Sequence, residues 1–127
     1  MDLQTNPTFG EIRRTNLRLG IAVPPIQVLT TTPEVVLETG ASGSPRKLTE
    51  AASITNNDDQ IDVLVTFYYT DQTNPTFNTS DVLSILRIPP LTTIPIGQYL
   101  LVSGFSLQAK ADVGGVAGVF LAYEEAI

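Results

Sequence analysis

Clustered carboxylates are the side chains of this sequence that could do chemistry. Asp58, Asp59 and Asp62 lie close together and could ligate Ca²⁺ through oxygen. Their spacing lacks the regular ligand positions and the distal Glu of an EF-hand loop, so we interpret them as a solvated turn. Glu124 and Glu125 could form a general acid–base pair. Nothing else in the sequence supplies a partner for that chemistry, so we interpret the pair as a solubilising C-terminal edge.

A second candidate site is the glycine-rich stretch GASGSPRK at residues 40–47. A phosphate-binding loop of the Walker type has four residues between its glycines, followed by Gly-Lys-Ser/Thr at the start of a helix. Here only Ala-Ser separates Gly40 from Gly43, Pro45 interrupts the motif, and a strand pattern follows. The stretch therefore predicts a surface turn.

Three missing residue types restrict the function further. The 127 residues include no Cys, no His and no Trp. Without Cys and His, the usual zinc and copper sites cannot form, nor can the Ser-His-Asp and Cys-His catalytic arrangements. We therefore predict a protein that is not an enzyme and that binds neither a metal nor a cofactor.

Composition and charge indicate one globular domain. Hydrophobic residues make up 43% of the chain and charged residues 16%, which suffices for a buried core. The net charge of −6 argues against nucleic acid as a partner. No apolar run reaches the length of a membrane span, and the opening MDLQTNPTFGEIRR lacks the pattern of a signal peptide. We expect assembly in a cytoplasm, without a membrane partner.

The elements that would position these residues are short strands. Ile61 to Tyr69 alternates most strongly, Phe105 to Ala111 alternates cleanly, and no segment has the period of an amphipathic helix. The pattern predicts an all-β antiparallel sandwich of roughly seven to nine strands over residues 26–127, with Greek-key or jelly-roll connections. In the strand from Phe105, we expect Phe105, Leu107, Ala109 and Ala111 to face inward, and Ser106, Gln108, Lys110 and Asp112 to face outward. The other runs are Ile26–Leu29, Val35–Leu37, Arg46–Ile54, Val82–Ile88, Thr92–Ile96, Tyr99–Val102 and Val116–Tyr123.

Residues 1–25 differ from the rest of the chain. They contain three arginines and end in Pro24-Pro25, and their apolar residues are scattered except for an alternating run from Leu17 to Val23. Two interpretations stay open. The segment is a first strand with a frayed terminus, or it is an extended arm on a neighbouring subunit, held away from the body by the Pro-Pro pair.

The hexapeptide QTNPTF occurs twice, at residues 4–9 and 72–77. The flanking sequences diverge, so the two copies are not an internal duplication. Asn-Pro favours an extended or turn conformation, so each copy predicts a polar loop that presents one phenylalanine, Phe9 or Phe77. We expect at least one of the two to contact another subunit. The alternative is that each folds back on its own sandwich.

From about Val28 onward, the order of strands and turns resembles a type of small virion protein of tailed bacteriophages. The residues that carry the resemblance are ETGASGSPRKLT (38–49), ASITNN (52–57), the alternating strand 61–69, IPIGQYL (94–100), GFSLQAKA (104–111), GGV (114–116) and LAYEE (121–125). The resemblance implies a jelly-roll-like sandwich that is a virion component. It favours a capsid decoration (cement) protein that docks on the head and stabilises it. Alternatives are a head–tail neck, collar or tail component, or a carbohydrate- or receptor-binding fibre module.

The expected partners follow from that resemblance. They are the major capsid protein or other virion proteins, met as a homo-oligomer or in many copies on a lattice within the virion. Arginines of the N-terminal segment would pair with acidic shell residues, while apolar side chains anchor in pockets. The candidate interface residues are Phe9, Ile12, Arg13, Arg14, Arg18 and Phe77.

Overall fold

The structure is a computed structural model that describes residues 17–40, 43–71 and 82–126. In these residues it contains twelve β-strands and no α-helix. The strands are β1 (Leu17–Ile21), β2 (Gln27–Val28), β3 (Glu34–Glu38), β4 (Arg46–Leu48), β5 (Ser53–Asn56), β6 (Val63–Asp71), β7 (Val82–Ile88), β8 (Thr93–Pro95), β9 (Leu100–Leu101), β10 (Phe105–Ala111), β11 (Ala117–Phe120) and β12 (Ala122–Ala126).

The strands form three antiparallel sheets of four. Their orders are β3–β10–β6–β7, β1–β12–β4–β9 and β2–β11–β5–β8. Each strand of the second sheet is the neighbour in sequence of a strand of the third sheet. The four connections run from β1 to β2, β4 to β5, β8 to β9, and β11 to β12. Only Leu121 separates β11 from β12. Hydrogen bonds bridge the junction, from the N–H of Ala22 to the carbonyl of Leu121 and from the N–H of Thr49 to the carbonyl of Ala122, both 2.9 Å.

The prediction of an all-β antiparallel fold is confirmed. The predicted spans Val82–Ile88 and Phe105–Ala111 coincide with β7 and β10. The structure has twelve strands where the sequence predicted seven to nine, because two predicted runs are each divided by a short break. Arg46–Ile54 contains β4 and the start of β5, and Val116–Tyr123 contains β11 and the start of β12.

One cluster of buried hydrophobic side chains forms the core, and all three sheets contribute to it. Val63, Val65 and Phe67 of β6 are fully buried, as their alternation predicts. β3 buries two successive residues, Val36 and Leu37, because its register with β10 shifts at a β-bulge.

The expectation that Ser106 and Gln108 face outward to solvent is wrong. Both are buried, at 3% and 8% exposure, because β10 lies between β3 and β6 in the interior of its sheet and is covered on both faces. A central strand of this kind does not need a polar face, so alternation alone overstates its exposure.

The run Leu17–Val23 forms a strand over Leu17–Ile21. β1 pairs antiparallel with β12, with Leu17 opposite Ala126 and Ile21 opposite Ala122. This strand is at the edge of its sheet. The extended-arm hypothesis falls mainly on residues 1–16, which lie outside the described residues, and it stays a prediction.

Candidate interaction surface

The two faces of β1 are chemically different. Arg18 and Gly20 lie on one face and Leu17, Leu19 and Ile21 on the other, because successive side chains of a strand alternate. The second set, which we call the edge stripe, is 39%, 77% and 48% exposed. An edge strand with one apolar, exposed face is typical of an interaction surface.

The opposite face of β1 is fixed by an ion cluster of Arg18, Glu125 and Arg46, which we call the Glu125 cluster. The Nε and Nη2 atoms of Arg18 donate to Glu125 Oε2 over 2.9 and 2.5 Å. The Nε atom of Arg46 donates to Glu125 Oε1 over 2.5 Å. The Glu125 side chain is 3% exposed, so the three side chains join β1, β12 and β4 through one buried carboxylate.

The neighbours of the Glu125 cluster are arranged around the Arg46 guanidinium. Arg46 Nη1 donates to the carbonyl oxygen of Glu38 over 2.9 Å, and its Cζ lies 4.3 Å from the centre of the Tyr123 ring. Glycine makes room at two points. A Cβ at Gly20 would collide with the Tyr123 ring, and a Cβ at Gly40 would collide with the Glu125 carboxylate. The chain therefore approaches the cluster closely at both glycines.

The electrostatics of this cluster keep the Glu125 carboxyl in its ionised form. Hydrogen bonds from Arg46 and then from Arg18 hold the pKa of the Glu125 carboxyl below its ordinary value, against the opposing effect of burial. The carboxylate is therefore ionised at neutral pH and both of its oxygens are engaged. The interpretation of Glu125 as a solubilising edge is wrong, because its alternation with Leu121 and Tyr123 turns it toward the interior.

A cleft of about 380 Å³ opens beside this cluster, between β1 and β3. Ile21, Val23 and Val35 contribute apolar walls, and Arg46 and Tyr123 also line it. Both β1 and β3 are edge strands of their sheets. The cleft therefore lies on the side of β1 that faces the Glu125 cluster, and it shares Ile21 with the edge stripe.

Exposed apolar side chains are concentrated in one stretch of the sequence, and Ile21, Val23 and Val35 from this stretch line the cleft. Thirteen large hydrophobic residues are exposed in the described part of the chain, and seven of them fall between Leu17 and Val35. We call these seven the β1–β3 apolar surface. They are Leu17, Leu19, Ile21, Val23, Ile26, Val28 and Val35.

The structure describes only one of the predicted interface residues. Arg18 lies in β1 and its guanidinium contacts Glu125, although its side chain is still 62% exposed. Phe9, Ile12, Arg13, Arg14 and Phe77 lie outside the described residues. Their roles at a subunit or capsid interface stay predictions.

The carboxylates Asp58, Asp59 and Asp62 do not converge. Asp58 Oδ1 accepts from the backbone N–H groups of Gln60 and Ile61 over 2.8 and 3.0 Å, and these bonds lower the pKa of the Asp58 carboxyl. Asp62 pairs with Arg87 at 3.2 Å. Within the described ranges, no group of three or more acidic side chains is placed to hold a metal ion.

Sequence analysis missed the role of Asn56 in this turn. Its side chain is fully buried. Its Nδ2 atom donates to the carbonyls of Ile61 and Ile88 over 2.9 and 3.0 Å, and its Oδ1 accepts from the N–H of Asp58 over 2.9 Å. Its position in a polar run concealed this, although it also continues the alternation Ala52–Ile54–Asn56 on the buried face of β5.

The glycine-rich stretch at residues 40–47 forms a turn that positions Arg46 in the Glu125 cluster. The N–H of Gly40 donates to the carbonyl of Ser44, the N–H of Gly43 donates to the carbonyl of Gly40, and Gly43 has a φ of 75°. These bonds close a turn that leads directly into β4. The predicted turn is confirmed for the described residues of the loop. The turn places Arg46 at the start of β4, where its side chain contacts Glu125.

The tyrosines pack within the molecule. The Tyr69 ring stacks on Phe105 with centroids 4.8 Å apart, and its hydroxyl donates to the carbonyl of Leu100 over 3.2 Å. Tyr68 is buried, and Tyr123 lies against the Arg46 guanidinium. Packing thus accounts for the aromatic residues that could otherwise form a sugar-stacking platform.

Comparisons with known proteins identify no relative. No family model, no curated protein and no solved structure matches the chain. Across the parts of the chain that the structure describes, no helix is long and apolar enough to cross a membrane. The geometry of the candidate site is that of an interaction surface at the edge of a β-sheet.

Proposed function

We propose that this chain is a structural virion protein of a tailed bacteriophage, a capsid decoration protein whose partner is the major capsid protein. The observation that carries the proposal is the β1–β3 apolar surface, which concentrates seven of thirteen exposed large hydrophobic residues between Leu17 and Val35. Exposed apolar patches mark surfaces that contact other molecules, among them protein partners. The β1–β3 apolar surface begins at Leu17, next in the chain to the predicted docking residues Phe9, Ile12, Arg13 and Arg14.

Two parts of the N-terminal region would contact the capsid protein in different ways. The cations for acidic shell residues are Arg13 and Arg14, because the guanidinium of Arg18 is held by Glu125. Phe9 and Ile12 supply anchors, and the β1–β3 apolar surface supplies the adjoining contact area. Buried anchors with a polar rim are the usual anatomy of a specific protein interface.

A jelly roll is the fold that we propose for this body. When β1/β2, β4/β5, β8/β9 and β11/β12 are each counted as one strand, the described part of the chain has eight strands. The first then pairs with the eighth, the second with the seventh, the third with the sixth and the fourth with the fifth. That pairing is expected for a long hairpin rolled on itself, which supports the two-sheet arrangement of jelly-roll capsid proteins.

Co-sedimentation with purified heads of the virus that encodes the chain tests the proposed function. The full-length protein is compared with a chain that starts at Leu17, which keeps β1, and with the double variant Arg13→Gln/Arg14→Gln. We expect saturable binding of the full chain and at least about tenfold weaker binding of both variants, since the double variant loses the two arginines and the shortened chain loses the arginines and the anchors.

The control is Lys110→Gln, which removes a positive charge from β10, far along the chain from the N-terminal segment, and should leave binding unchanged. Absence of binding by the full-length protein would contradict the capsid assignment. If the purified protein instead formed a closed ring in mass photometry, a neck or tail position would replace it.

A further inference from the structure

The hydrogen-bonding groups of β1 divide into an inner and an outer set. The N–H of Ala22 donates to the carbonyl of Leu121, directly after the pair Ile21–Ala122. Bonding alternates along an antiparallel pair, so Arg18 and Gly20 also bond toward β12. The N–H and C=O groups of the edge stripe then point away from β12, to the open edge of the sheet.

This edge lacks the features that normally prevent pairing between sheets. β1 contains no proline, and its pairing with β12 has no bulge. Its single charge, Arg18, is on the opposite face and contacts Glu125. Charged side chains, prolines and bulges are what exposed edge strands use to avoid association, so β1 is an edge that accepts another strand.

We propose that the strand it accepts is β1 of a second copy of this chain, paired antiparallel about a twofold axis at Leu19. Leu19 then lies opposite Leu19 of the second copy, and Leu17 lies opposite Ile21. This register places all three outward residues of each strand in hydrogen-bonded pairs. The two sheets join into one sheet of eight strands. The two edge stripes, with three apolar side chains each, then lie side by side on its outer face.

The side chains of β1 are complementary to themselves in this register. Arg18 lies opposite Gly20 of the second copy, which has no side chain to oppose the guanidinium. The outer row beyond Leu19 continues through Glu124 to Lys47, which lie opposite each other in β12 and β4. A twofold axis therefore leaves one Glu124–Lys47 pair on each side of the two Leu19 residues, so this row carries no net charge, which favours a second copy over a strand from an acidic or basic partner.

The Glu125 cluster prepares β1 for this pairing. Arg18 and Arg46 hold β1, β12 and β4 together through one buried carboxylate, so the edge is ordered before it meets a partner. Prior ordering lowers the entropy that association costs. The inference is independent of the virion assignment, because it rests on the edge of β1 alone.

Sedimentation velocity of the full-length protein over a range of micromolar concentrations tests the association. We expect a species of twice the 13.7 kDa mass of one chain. Leu19→Lys places two ammonium groups at the axis and should raise the dissociation constant about tenfold or more. Ile85→Lys is the matched control, since Ile85 is 61% exposed on the edge strand β7, and it should dimerise like the parent chain. A monomeric parent, or a dimer that Leu19→Lys leaves intact, would overturn the proposal.

A cross-linking experiment tests the register and does not depend on the lysine variant. The chain has no cysteine, so Leu19→Cys introduces a single thiol. Residues in a hydrogen-bonded antiparallel pair have Cα atoms about 5.5 Å apart, within the range that a disulfide spans. Leu19→Cys should form a covalent dimer under mild oxidation. Leu17→Cys should not, because the Cα atoms of its two copies lie roughly 14 Å apart. Equal cross-linking of both variants would refute the Leu19-centred pairing.

Discussion

At the scale of single residues, the Glu125 carboxylate makes stability depend on pH. Its pKa is lowered by Arg46 and Arg18, so its contribution is complete above the ordinary glutamate pKa and is lost as the pH falls through the lowered value. We expect Glu125→Gln to cost about 2 kcal/mol at neutral pH, since charge-assisted hydrogen bonds are lost. The difference from the parent chain should shrink on acidification. Urea unfolding at a series of pH values measures both effects.

Glu124→Gln is the control for that experiment, because Glu124 is only half-buried and lies on the outer face of β12. It should keep the acid sensitivity of the parent chain. Asp58, whose pKa is also lowered, should leave a residual acid dependence in every variant. A constant difference between Glu125→Gln and the parent at all pH values would contradict the assigned role.

Asn56 supports a second prediction at this scale. Asn56→Asp keeps the shape of the side chain but replaces the donor to the Ile61 and Ile88 carbonyls with a carboxylate oxygen. We expect a loss of about 3 kcal/mol or more, because a buried charge would then face two acceptors. Asn57→Asp introduces the same charge at the exposed neighbouring position and should change the free energy of unfolding by less than about 0.5 kcal/mol. Similar urea midpoints for the two variants would show that the buried amide is dispensable.

The sequence could predict residue types at these sites but not their partners. It identified Arg18 and Glu125 separately, one as an interface cation and the other as a solubilising acid. Their contact joins positions 107 apart in the chain, and only the register of β1 with β12 brings them together. The alternation Tyr123–Glu125 indicated a shared face, yet it could not indicate that an arginine would neutralise the acid there.

At the scale of elements, β1 depends on the glycine opposite Tyr123. A Cβ at Gly20 would lie 2.5 Å from Tyr123 Cζ, and the ring can move only by leaving the Arg46 guanidinium. We expect Gly20→Ala to destabilise the protein by about 1–3 kcal/mol, because the strain exceeds the roughly 0.5–1 kcal/mol gained from a stiffer unfolded chain. Thermal unfolding followed by circular dichroism measures the effect.

Gly114→Ala is the matched control for Gly20→Ala. A Cβ there would approach no atom closer than 3.9 Å, the distance to Thr30 Cα. The substitution should be neutral or slightly stabilising. If both alanine variants melted like the parent chain, the close approach of Tyr123 to β1 would not contribute to stability.

The positions of the strands in the sequence were more predictable than the pairing of one strand with another. Apolar alternation located β7 and β10 to the residue, because period-two burial is a local property. It could not reveal that β10 is covered on both faces, or that β12 lies between β1 and β4, since those facts depend on pairing across most of the chain. The candidate interaction surface was missed for the same reason. Leu17, Leu19 and Ile21 are apolar, and only the pairing of β1 with β12 shows that they lie on the face opposite the buried Glu125 and are exposed.

At the scale of the whole molecule, the two ends of the described chain meet in one pair of strands. β1 and β12 lie side by side, and β12 also pairs with β4. Folding must therefore close long loops before these contacts form. We expect refolding in about milliseconds to seconds, as for other proteins dominated by non-local strand pairing. Stopped-flow refolding from urea measures the rate, and folding within microseconds would contradict the assigned topology.

The same topology makes the C-terminal strand indispensable. A chain that ends at Leu121 loses β12, which leaves β1 and β4 without the strand between them and removes both Tyr123 and Glu125. We expect this truncated chain to lose its cooperative urea transition, because the two arginines of the Glu125 cluster are then left without their carboxylate. A chain that ends at Ala126 keeps all of β12 and should unfold cooperatively. A cooperative transition of the Leu121 chain at the parent midpoint would mean that the core is complete without β12, and that the Glu125 cluster serves only to hold β1 in place for its partner.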